Sequence, residues 1–330
     1  MNLPLVSAII PTHNRPELVQ RAIHSALRQT IADIEVIVVI DGPDEATQKA
    51  LSRIADPRLR VLACSQQVGG SEARNTGVRA ARADWVAFLD DDDEWFPQKL
   101  ERQLNAAKTL GVPYPVLYSR YIGRSERGDS VMAARLPADG ETISEYLFCR
   151  KGLRFGETGL ASSELLAPAS LMREVPFKAG LRKHQDWDWV LRAARHPGVK
   201  VHVVPEVLAI YHMQDNVARL SNNAEWRFSL EWARERMDLL TPKAYSFFVA
   251  TECVPRARKV DAGVNVYLGL FHEFLFRGSP RWRSTFLFLG FALTPVKLRA
   301  YLRKFAGARG NPAQQACKTK LQSVMPTARP

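Results

Sequence analysis

Short apolar runs rich in β-branched residues recur in the first part of the chain. The runs are Leu5 to Ile10, Glu35 to Ile40, Leu59 to Ala63 and Trp85 to Leu89. Segments with the 3.6-residue spacing of amphipathic helices separate them, and this alternation is typical of βαβ units. The pattern therefore predicts a parallel sheet covered by helices.

The segments between these runs carry helix start signals. Asn14 is a good N-cap for the first helix, and Glu17, three residues later, would close a capping box. Three further helices are predicted over Glu45 to Ile54, over Ser71 to Ala81 and from near Pro97 to Leu110.

The pattern changes after Val116, where strands are mixed with loops. The predicted elements are strands at Val116 to Tyr121 and Glu164 to Ala167, a helix at Asp186 to Arg195, and a closing pair of strands at Val199 to Val204 and Val207 to Tyr211. From Glu225 onward the pattern is helical and punctuated by prolines. We therefore predict an α/β domain over residues 1–224 and a helical region over residues 225–330.

The net charge of +12 is concentrated in that helical region. Residues 227–330 hold 18 Lys and Arg against 6 Asp and Glu, and no acidic residue follows Glu273. Aromatic and aliphatic residues from Trp282 to Phe291 are interleaved with this charge, as in interfacial segments. We expect a polyanionic partner, and the aromatic content favours an anionic membrane surface over nucleic acid. An ordinary solvated helical bundle is the remaining alternative.

The cysteines and the apolar runs indicate a compartment. Cys64, Cys149, Cys253 and Cys317 lie far apart, which argues against a zinc site and a disulfide framework. The first residues carry no secretory signal, and the longest uncharged apolar stretch near the C-terminus, Ser284 to Val296, is shorter than a membrane span. We expect a cytoplasmic protein.

Polar residues follow three of the predicted strands. The strand ends are Pro11 to Asn14, Asp41 with Gly42, and the acidic run from Asp90 to Glu94. Ligands bind at the carboxyl ends of strands in open α/β sheets. Consecutive carboxylates repel one another, so this run predicts a hard divalent cation, Mg²⁺ or Mn²⁺. A solvated acidic loop that caps the helix near Pro97 is the alternative.

A glycine-rich turn precedes the third predicted helix, within Gly69 to Asn75. Gly70 would present backbone N–H groups to a phosphate, and Arg74, one turn later, adds a guanidinium. The signal is weak by itself. Beside a carboxylate cluster, it suggests a nucleotide diphosphate bridged to the protein by a metal.

Five runs, taken in order, resemble family 2 of the glycosyltransferases. They are Val6 to Arg15, Ser25 to Thr30, Val38 to Gly42, Ala73 to Gly77 and Phe88 to Asp93. The resemblance covers about residues 4–215. It implies the α/β GT-A fold, with a Rossmann-like nucleotide-binding sheet, a mixed acceptor-side half and, in this chain, a helical C-terminal extension.

The resemblance also implies roles for individual residues. Positions expected to bind the nucleotide part of the donor are Pro11, Thr12, Asp41, Arg74, Asp90 and Asp91. Asp41 would bind the base, and Asp90 or Asp91 the ribose. Asp92 is the expected direct metal ligand, with Asp90 beside it. Ile40 stands where the family usually has Asp, which leaves the base preference open.

The run from His184 to Trp189 resembles the family's Glu-Asp motif, whose Asp deprotonates the acceptor hydroxyl. Asp186 matches that Asp by position, while Gln185 replaces the usual Glu. Asp188 is the substitute candidate, and a mere helix cap is the alternative role for Asp186. By resemblance, His212 would lie near the metal or the diphosphate, although a lone His at a strand end is often structural.

These features predict a metal-dependent, inverting glycosyltransferase that uses a nucleotide-diphosphate sugar. The expected acceptor is a glycan or a lipid-linked precursor of cell-surface polysaccharide, reached from the inner face of the cell membrane. The Gln-x-x-Arg-Trp motif of processive members is absent, which favours transfer of single sugars. A nucleotidyltransferase and a non-catalytic nucleotide-sugar-binding scaffold are the alternatives. Nucleic acid is not an expected partner.

Overall fold

A nine-stranded mixed β-sheet runs through the computed structural model, which describes residues 3–126, 128–152, 156–213 and 225–294. The strands are β1 (Val6–Thr12), β2 (Ile34–Ile40), β3 (Leu59–Ala63), β4 (Trp85–Phe88), β5 (Glu94–Trp95), β6 (Tyr114–Ser125), β7 (Gly128–Met132), β8 (Leu166–Pro168) and β9 (Val199–His212).

Helices cover the sheet and extend the chain beyond it. They are α1 (Pro16–Leu27), α2 (Glu45–Leu51), α3 (Gly70–Ala80), α4 (Lys99–Leu110), α5 (Ile143–Phe148), α6 (Ala169–Glu174), α7 (Gln185–Ala193), α8 (Trp226–Arg234), α9 (Pro242–Phe248), α10 (Val254–Lys259), α11 (Val264–Phe276) and α12 (Trp282–Leu293). A 3₁₀ turn lies at Ser162–Glu164 and a π-helical turn at Val249–Cys253.

The sheet has two halves of different character. Its strand order is β3-β2-β1-β4-β8-β6-β9-β5, with β7 paired to β6. The four strands β3, β2, β1 and β4, which are neighbours in this order, are parallel, whereas β8 is antiparallel to both β4 and β6. The predicted fold class, a nucleotide-binding parallel sheet continued by a mixed half and a helical extension, is confirmed.

Alternate residues of the central strand face different cores. In β1, Ala8 and Ile10 belong to the apolar cluster that includes Ala22 of α1 and Leu104 of α4. Ile9 belongs to the other cluster. Because successive side chains of a strand point to opposite faces, burial of β1 on both faces favours consecutive apolar residues such as Ala8, Ile9 and Ile10. The continuous apolar run therefore predicts β1 correctly.

The predicted cap of α1 is wrong. Asn14 adopts a left-handed backbone conformation with φ of 54°, and its N–H donates to Asp44 Oδ2 at 2.9 Å. The helix begins later, at Pro16, and Arg15 occupies the N-cap position without a side-chain cap bond. Proline suits the first helical position because it needs no N–H there. Asn14 thus connects β1 to the start of α2, which itself ends at Leu51 rather than Ile54.

The predicted closing pair of strands is one continuous strand, β9. Pairing with β6 passes from Ser119 opposite Val204 to Arg120 opposite Val207, so two residues, Pro205 and Glu206, are inserted in a bulge. Proline cannot donate to a ladder and is tolerated in strands at such bulges. The bulge allows the strand to continue past the proline.

The helices after residue 225 share the core of the sheet. Phe248, Phe274 and Phe288 are buried in the same apolar cluster as Ile9 and Phe88. The helical character predicted from residue 225 is confirmed for 225–294, and the division at 224 remains a prediction.

Two helices at the end of the described chain expose apolar side chains. On α11 and α12, the large hydrophobic residues at least 60% exposed are Val264, Leu268, Phe276, Trp282, Phe286 and Leu293. Across the described ranges, none of the helices has the length and hydropathy needed to cross a bilayer. The basic residues from Lys297 to Arg329 and Cys317 lie outside the described residues, and Cys64, Cys149 and Cys253 are free thiols.

Candidate active site

The carboxyl ends of β1, β2 and β4 meet at one cleft of about 1220 Å³. Parallel strands bring their carboxyl ends to the same edge, so residues distant in sequence converge there. The predicted site residues that line this cleft are Pro11, Thr12, Asp41, Gly70, Arg74, Asp90, Asp91, Asp92 and Asp186. The sheet therefore brings together the whole predicted set except His212.

Asp41 holds the loop that leads into α3. Its Oδ1 accepts a hydrogen bond from the Val68 N–H at 2.6 Å, and its Oδ2 accepts one from the Gly69 N–H at 3.0 Å. Gly69 has φ of 84°, a conformation that favours glycine. The first turn of α3, whose N–H groups have no partner within the helix, thus lines the cleft beside Gly70.

Arg74 connects the acidic run to the start of α7. Its Nη1 donates to Gln185 Oε1 at 2.8 Å, and its Nη2 contacts Asp90 Oδ1 at 2.5 Å and Ser162 Oγ at 3.1 Å. The guanidinium is buried, and its charge is balanced by the carboxylate of Asp90. Arg74 therefore fixes Asp90 relative to the residues around Asp186.

Asp91 and Asp92 differ in their surroundings. Asp91 accepts hydrogen bonds from Thr12 Oγ1 and Arg15 Nη1, both at 2.8 Å, and burial raises the pKa of Asp91 to about 6. The Asp92 side chain is 15% exposed, against 7% for Asp91, and Arg15 Nη1 lies 3.5 Å from Asp92 Oδ2. Asp92 is therefore the more accessible of the two carboxylates to a ligand.

The last two acidic residues of the run have structural partners. Asp93 is fully buried, accepts a hydrogen bond from Ser163 Oγ at 2.5 Å, and accepts another from the His212 N–H at 3.1 Å. His212 Nε2 lies 2.7 Å from Glu94 Oε1. His212 thus pairs with Glu94 and lies outside the residues that line the cleft, so its predicted place near a metal or diphosphate stays a prediction.

Asp186, in the first turn of α7, is partly buried in the wall of the cleft. Burial raises the pKa of Asp186 to about 6, while the charge of Arg74 acts to lower it and that of Asp90 to raise it. A carboxylate with a pKa near 6 is ionised at neutral pH and can still accept a proton in a transition state. Asp186 therefore has the placement and the acidity of a general base.

Asp188 has a different environment. It is fully buried, its Oδ2 accepts a hydrogen bond from Arg192 Nε at 2.8 Å, and its Oδ1 accepts one from Arg236 Nε at 2.5 Å. Arg236 comes from the segment after α8. Asp188 therefore fixes α7 to the C-terminal helices, and of the two candidate bases only Asp186 lines the cleft.

The two tryptophans of α7 also have different environments. Trp189 is fully buried and donates from Nε1 to the Val175 carbonyl at 2.7 Å, which assigns it to the core. Trp187 lines the cleft and stacks on His184 with ring centroids 4.7 Å apart. Only Trp187 is placed to contact a ligand.

Sequence patterns missed several residues of this cleft. Arg15 ends the first family-like run and Gln185 lies in the motif around Asp186, but nothing in the sequence indicates their contacts with Asp91 and Arg74 respectively. Thr251 and Arg256 line the cleft from the C-terminal helices. A weak signal existed for the last two, because Pro255 interrupts an otherwise helical pattern and proline often marks a distorted, functional turn.

The fold and the cleft together define a glycosyltransferase of the GT-A class, and comparison with known proteins specifies the family. Residues 7–163 match Glycosyl transferase family 2. The chain belongs to this family, and glycosyl transfer is the reaction class of its members.

Two relatives share most of their length with the chain. The amylovoran biosynthesis glycosyltransferase AmsB of Erwinia amylovora is 28% identical over 254 residues, which cover 72% of this chain and 82% of AmsB. WcaA of Escherichia coli (strain K12), whose name assigns it to colanic acid biosynthesis, is 30% identical over 216 residues, covering 64% of this chain and 74% of WcaA.

Among solved structures, TarS of S. aureus has a similar fold. The superposition gives a TM-score of 0.55 at 17% sequence identity and covers 86% of this chain and 50% of TarS. At this identity the likeness concerns the fold.

Proposed function

We propose that this protein transfers a sugar from a nucleoside-diphosphate sugar to an acceptor hydroxyl, with inversion at the anomeric carbon, and that Asp186 is the general base. The observation that carries the proposal is the shared cleft, which Asp186 and the run from Asp90 to Asp92 both line and in which Arg74 contacts Asp90 and Gln185, the residue before Asp186. A base on one side and a site for the leaving diphosphate on the other are the two requirements of a single displacement.

In this reaction Asp186 accepts the proton of the acceptor hydroxyl. The acceptor oxygen attacks the anomeric carbon as the bond to the diphosphate breaks, and the nucleoside diphosphate leaves. Pro11, Thr12 and Asp41 would form the nucleotide pocket at the ends of β1 and β2. The start of α3 at Gly70 favours phosphate binding, because its N–H groups and helix dipole attract anions.

The carboxylates suit a divalent cation that is shared with the substrate. Among the described residues, no three His, Cys, Asp or Glu side chains converge as a metal-binding group. Mg²⁺ is commonly bound by one or two carboxylates together with substrate phosphates, so a complete protein cage is not required. Asp92, with Asp90 beside it, would hold Mg²⁺ or Mn²⁺, which would stabilise charge on the departing diphosphate.

The proposed pathway is cell-surface polysaccharide synthesis, with a glycan or a lipid-linked glycan as acceptor. The names of AmsB and WcaA support this assignment. We also propose that the protein is cytoplasmic and associates with the inner face of the cell membrane through the apolar side chains exposed on α11 and α12. Arg277, Arg281 and Arg283 flank them and would attract anionic lipids.

The test of the function is to incubate the purified protein with a panel of nucleotide sugars and Mn²⁺. Slow hydrolysis should release the nucleoside diphosphate from one donor, and Asp186→Asn should slow that release by roughly 10²-fold or more. A nucleotidyltransferase would instead produce pyrophosphate from a nucleoside triphosphate and a sugar phosphate. A non-catalytic scaffold would bind the donor without turnover.

A further inference from the structure

A second charged surface lines the same cleft. It consists of five basic residues, which we call the cationic wall: Arg150, Arg182, Lys183, Arg256 and Lys259. The two other arginines of the cleft, Arg15 and Arg74, are paired with the carboxylates of the acidic run. The cationic wall is therefore additional to the charges that the acidic run already balances.

The cationic wall includes residues from α10 because the preceding helix is distorted. Pro255 has no backbone N–H, and its ring clashes with the carbonyl four residues earlier in a regular α-helix. The chain accommodates it with the π-helical turn Val249–Cys253, directly before α10. Thr251 and Glu252 of this turn line the cleft, as do Arg256 and Lys259 of α10. π-Helical turns within α-helices are frequent at functional sites.

Like charges are held close together in this wall. Lys183 is only 7% exposed, and burial together with repulsion from Arg256 lowers the pKa of Lys183 to about 8. Arg256 Nη1 lies 2.5 Å from Glu252 Oε2, and Arg182 Nη1 lies 3.4 Å from Glu225 Oε1. Besides Asp41, Asp186 and the acidic run, the cleft lining holds two acidic residues, Glu157 and Glu252, against the five basic residues of the wall, so positive charge is in surplus there. Cations concentrated in a cleft raise the local concentration of anions.

The cationic wall lies next to the proposed base. Lys183 precedes Asp186 by three residues, on the segment that leads into α7. Asp186, Lys183 and the α10 residues Arg256 and Lys259 line the same cleft, so an acceptor bound at Asp186 shares this cleft with the wall. In the function proposed above, the donor diphosphate would be bound elsewhere, by the start of α3 and by a cation held at Asp92.

We propose that the cationic wall binds a phosphate or diphosphate group carried by the acceptor. The proposal rests on the function proposed above and narrows it to phosphorylated acceptors. Two sources share this chemistry: the diphosphate of a lipid carrier and a phosphate within a soluble glycan. Guanidinium groups suit both, because they bind phosphate oxygens with paired hydrogen bonds.

Calorimetry on the full chain tests the proposal. The donor site is first saturated with Mg²⁺ and with the nucleoside diphosphate that binds most tightly, and then farnesyl diphosphate, farnesol or glycerol 3-phosphate is titrated. Farnesyl diphosphate should bind and farnesol should bind at least 10-fold more weakly. If glycerol 3-phosphate binds as tightly as farnesyl diphosphate, the phosphate belongs to a soluble glycan. If glycerol 3-phosphate binds much more weakly, the phosphate group is that of a lipid carrier.

Matched substitutions locate the site. Lys259→Gln combined with Arg256→Gln should weaken farnesyl diphosphate binding by at least 10-fold. Arg258→Gln, on the same helix but outside the cleft lining, should change it by less than twofold. Because Arg256 also contacts Glu252, the exposed Lys259→Gln is measured alone as well and should still weaken binding. Glu252→Gln should strengthen it.

Three results would overturn the proposal. The first is equal binding of farnesyl diphosphate and farnesol, and the second is unchanged binding of both phosphorylated probes in the Lys259→Gln variants. The third is a loss of nucleoside diphosphate affinity in these variants as large as their loss of farnesyl diphosphate affinity, which would assign the wall to the donor. Donor hydrolysis by the unaltered protein is measured separately. Absence of donor hydrolysis would contradict the proposed function, whereas the calorimetric results test only whether the cationic wall binds phosphate.

Discussion

Arg74 and Gln185 are joined by a hydrogen bond of 2.8 Å between Nη1 and Oε1, although 110 residues separate them along the chain. The bond connects α3 to the start of α7, directly beside Asp186. In the family motif that this segment resembles, a Glu occupies the position of Gln185. The neutral amide keeps the hydrogen bond and leaves the charge of Arg74 to Asp90 and Asp186.

The electrostatic balance around Asp186 predicts a pH dependence. With a pKa of about 6, Asp186 is ionised above that value, so turnover should rise as the pH increases through about 6 and then level off. In Arg74→Gln the nearby cation is lost, so the rise should move to higher pH by about 1 unit. The measurement is kcat for donor hydrolysis from pH 4.5 to 9. A rise at the same pH in both proteins would mean that another group controls the rate.

Substitution of Asp186 should affect turnover, whereas substitution of Asp188 should affect stability. Asp186→Asn removes the base and should lower turnover by roughly 10²-fold or more, with donor affinity preserved. Asp188→Asn removes the buried carboxylate shared by Arg192 and Arg236, leaving Arg236 only its contact with the exposed Glu235, and should lower the free energy of unfolding by about 3 kcal/mol. Urea unfolding and single-turnover assays on both variants provide the comparison. Normal turnover in Asp186→Asn would exclude it as the base.

The acidic run can be dissected by its contacts. Asp92→Ala should abolish the Mn²⁺-dependent part of nucleoside diphosphate affinity, because Asp92 is the proposed cation ligand and is more exposed than Asp91. Glu94→Gln is the matched control from the same run, since Glu94 contacts His212 and lies outside the cleft lining. Calorimetry with and without Mn²⁺ decides between them. Should His212→Asn remove the metal dependence as Asp92→Ala does, the histidine would be a ligand.

The exposed face of α12 should contribute to membrane binding. Trp282 and Phe286 are 74% and 60% exposed, and their joint replacement by Ser should reduce partitioning onto anionic vesicles on the order of 10-fold. Val61→Ser, at a 41% exposed apolar residue of β3, is the control. Sedimentation with vesicles containing phosphatidylglycerol, at low and high salt, provides the measurement. Equal binding to neutral vesicles would remove the electrostatic part of the hypothesis.

A side chain at position 77 should destabilise the protein. A Cβ at this position would lie 2.4 Å from Ile9 Cγ2, because α3 packs closely on β1. Gly77→Ala should therefore destabilise the protein by about 1–3 kcal/mol, and combining it with Ile9→Ala should cost less than the sum of the two changes. Urea unfolding of the three variants tests this coupling. Additive effects would indicate that α3 moves away freely.

The parallel half of the sheet was predictable because its signal is local. The runs around Ile9 and Ile37 are almost entirely apolar, as expected for strands buried on both faces, and their polar exceptions, Ser7 and Glu35, are hydrogen-bonded to each other. The residues that follow those strands converge at one edge by topology, which placed Asp41 and Asp90 correctly in one cleft. The cap of α1 was predicted wrongly because Asn14 follows its tertiary contact with Asp44, although Pro16 at the first helical position is a local signal for the true start.

Other parts of the site depend on contacts between distant segments. The hydrophobic pattern of the sequence does not indicate the pairing of Arg74 with Gln185 or the burial of Asp188 between two arginines. The same holds for Thr251 and Arg256, which reach the cleft because helices after residue 225 pack on the sheet. Such residues can be found only once the packing is known.

The apolar cluster that links Ile9 of β1 to Phe288 of α12 has a consequence for synthesis of the protein. The ribosome releases the C-terminal helices last, so part of the sheet's own core stays uncovered until nearly the whole chain has emerged. A polypeptide that ended before α12 would keep Leu270 and Phe274 without their partner helix, and exposed apolar surface of this kind promotes aggregation. Premature termination should therefore yield a substrate for chaperones and proteases rather than a shortened enzyme.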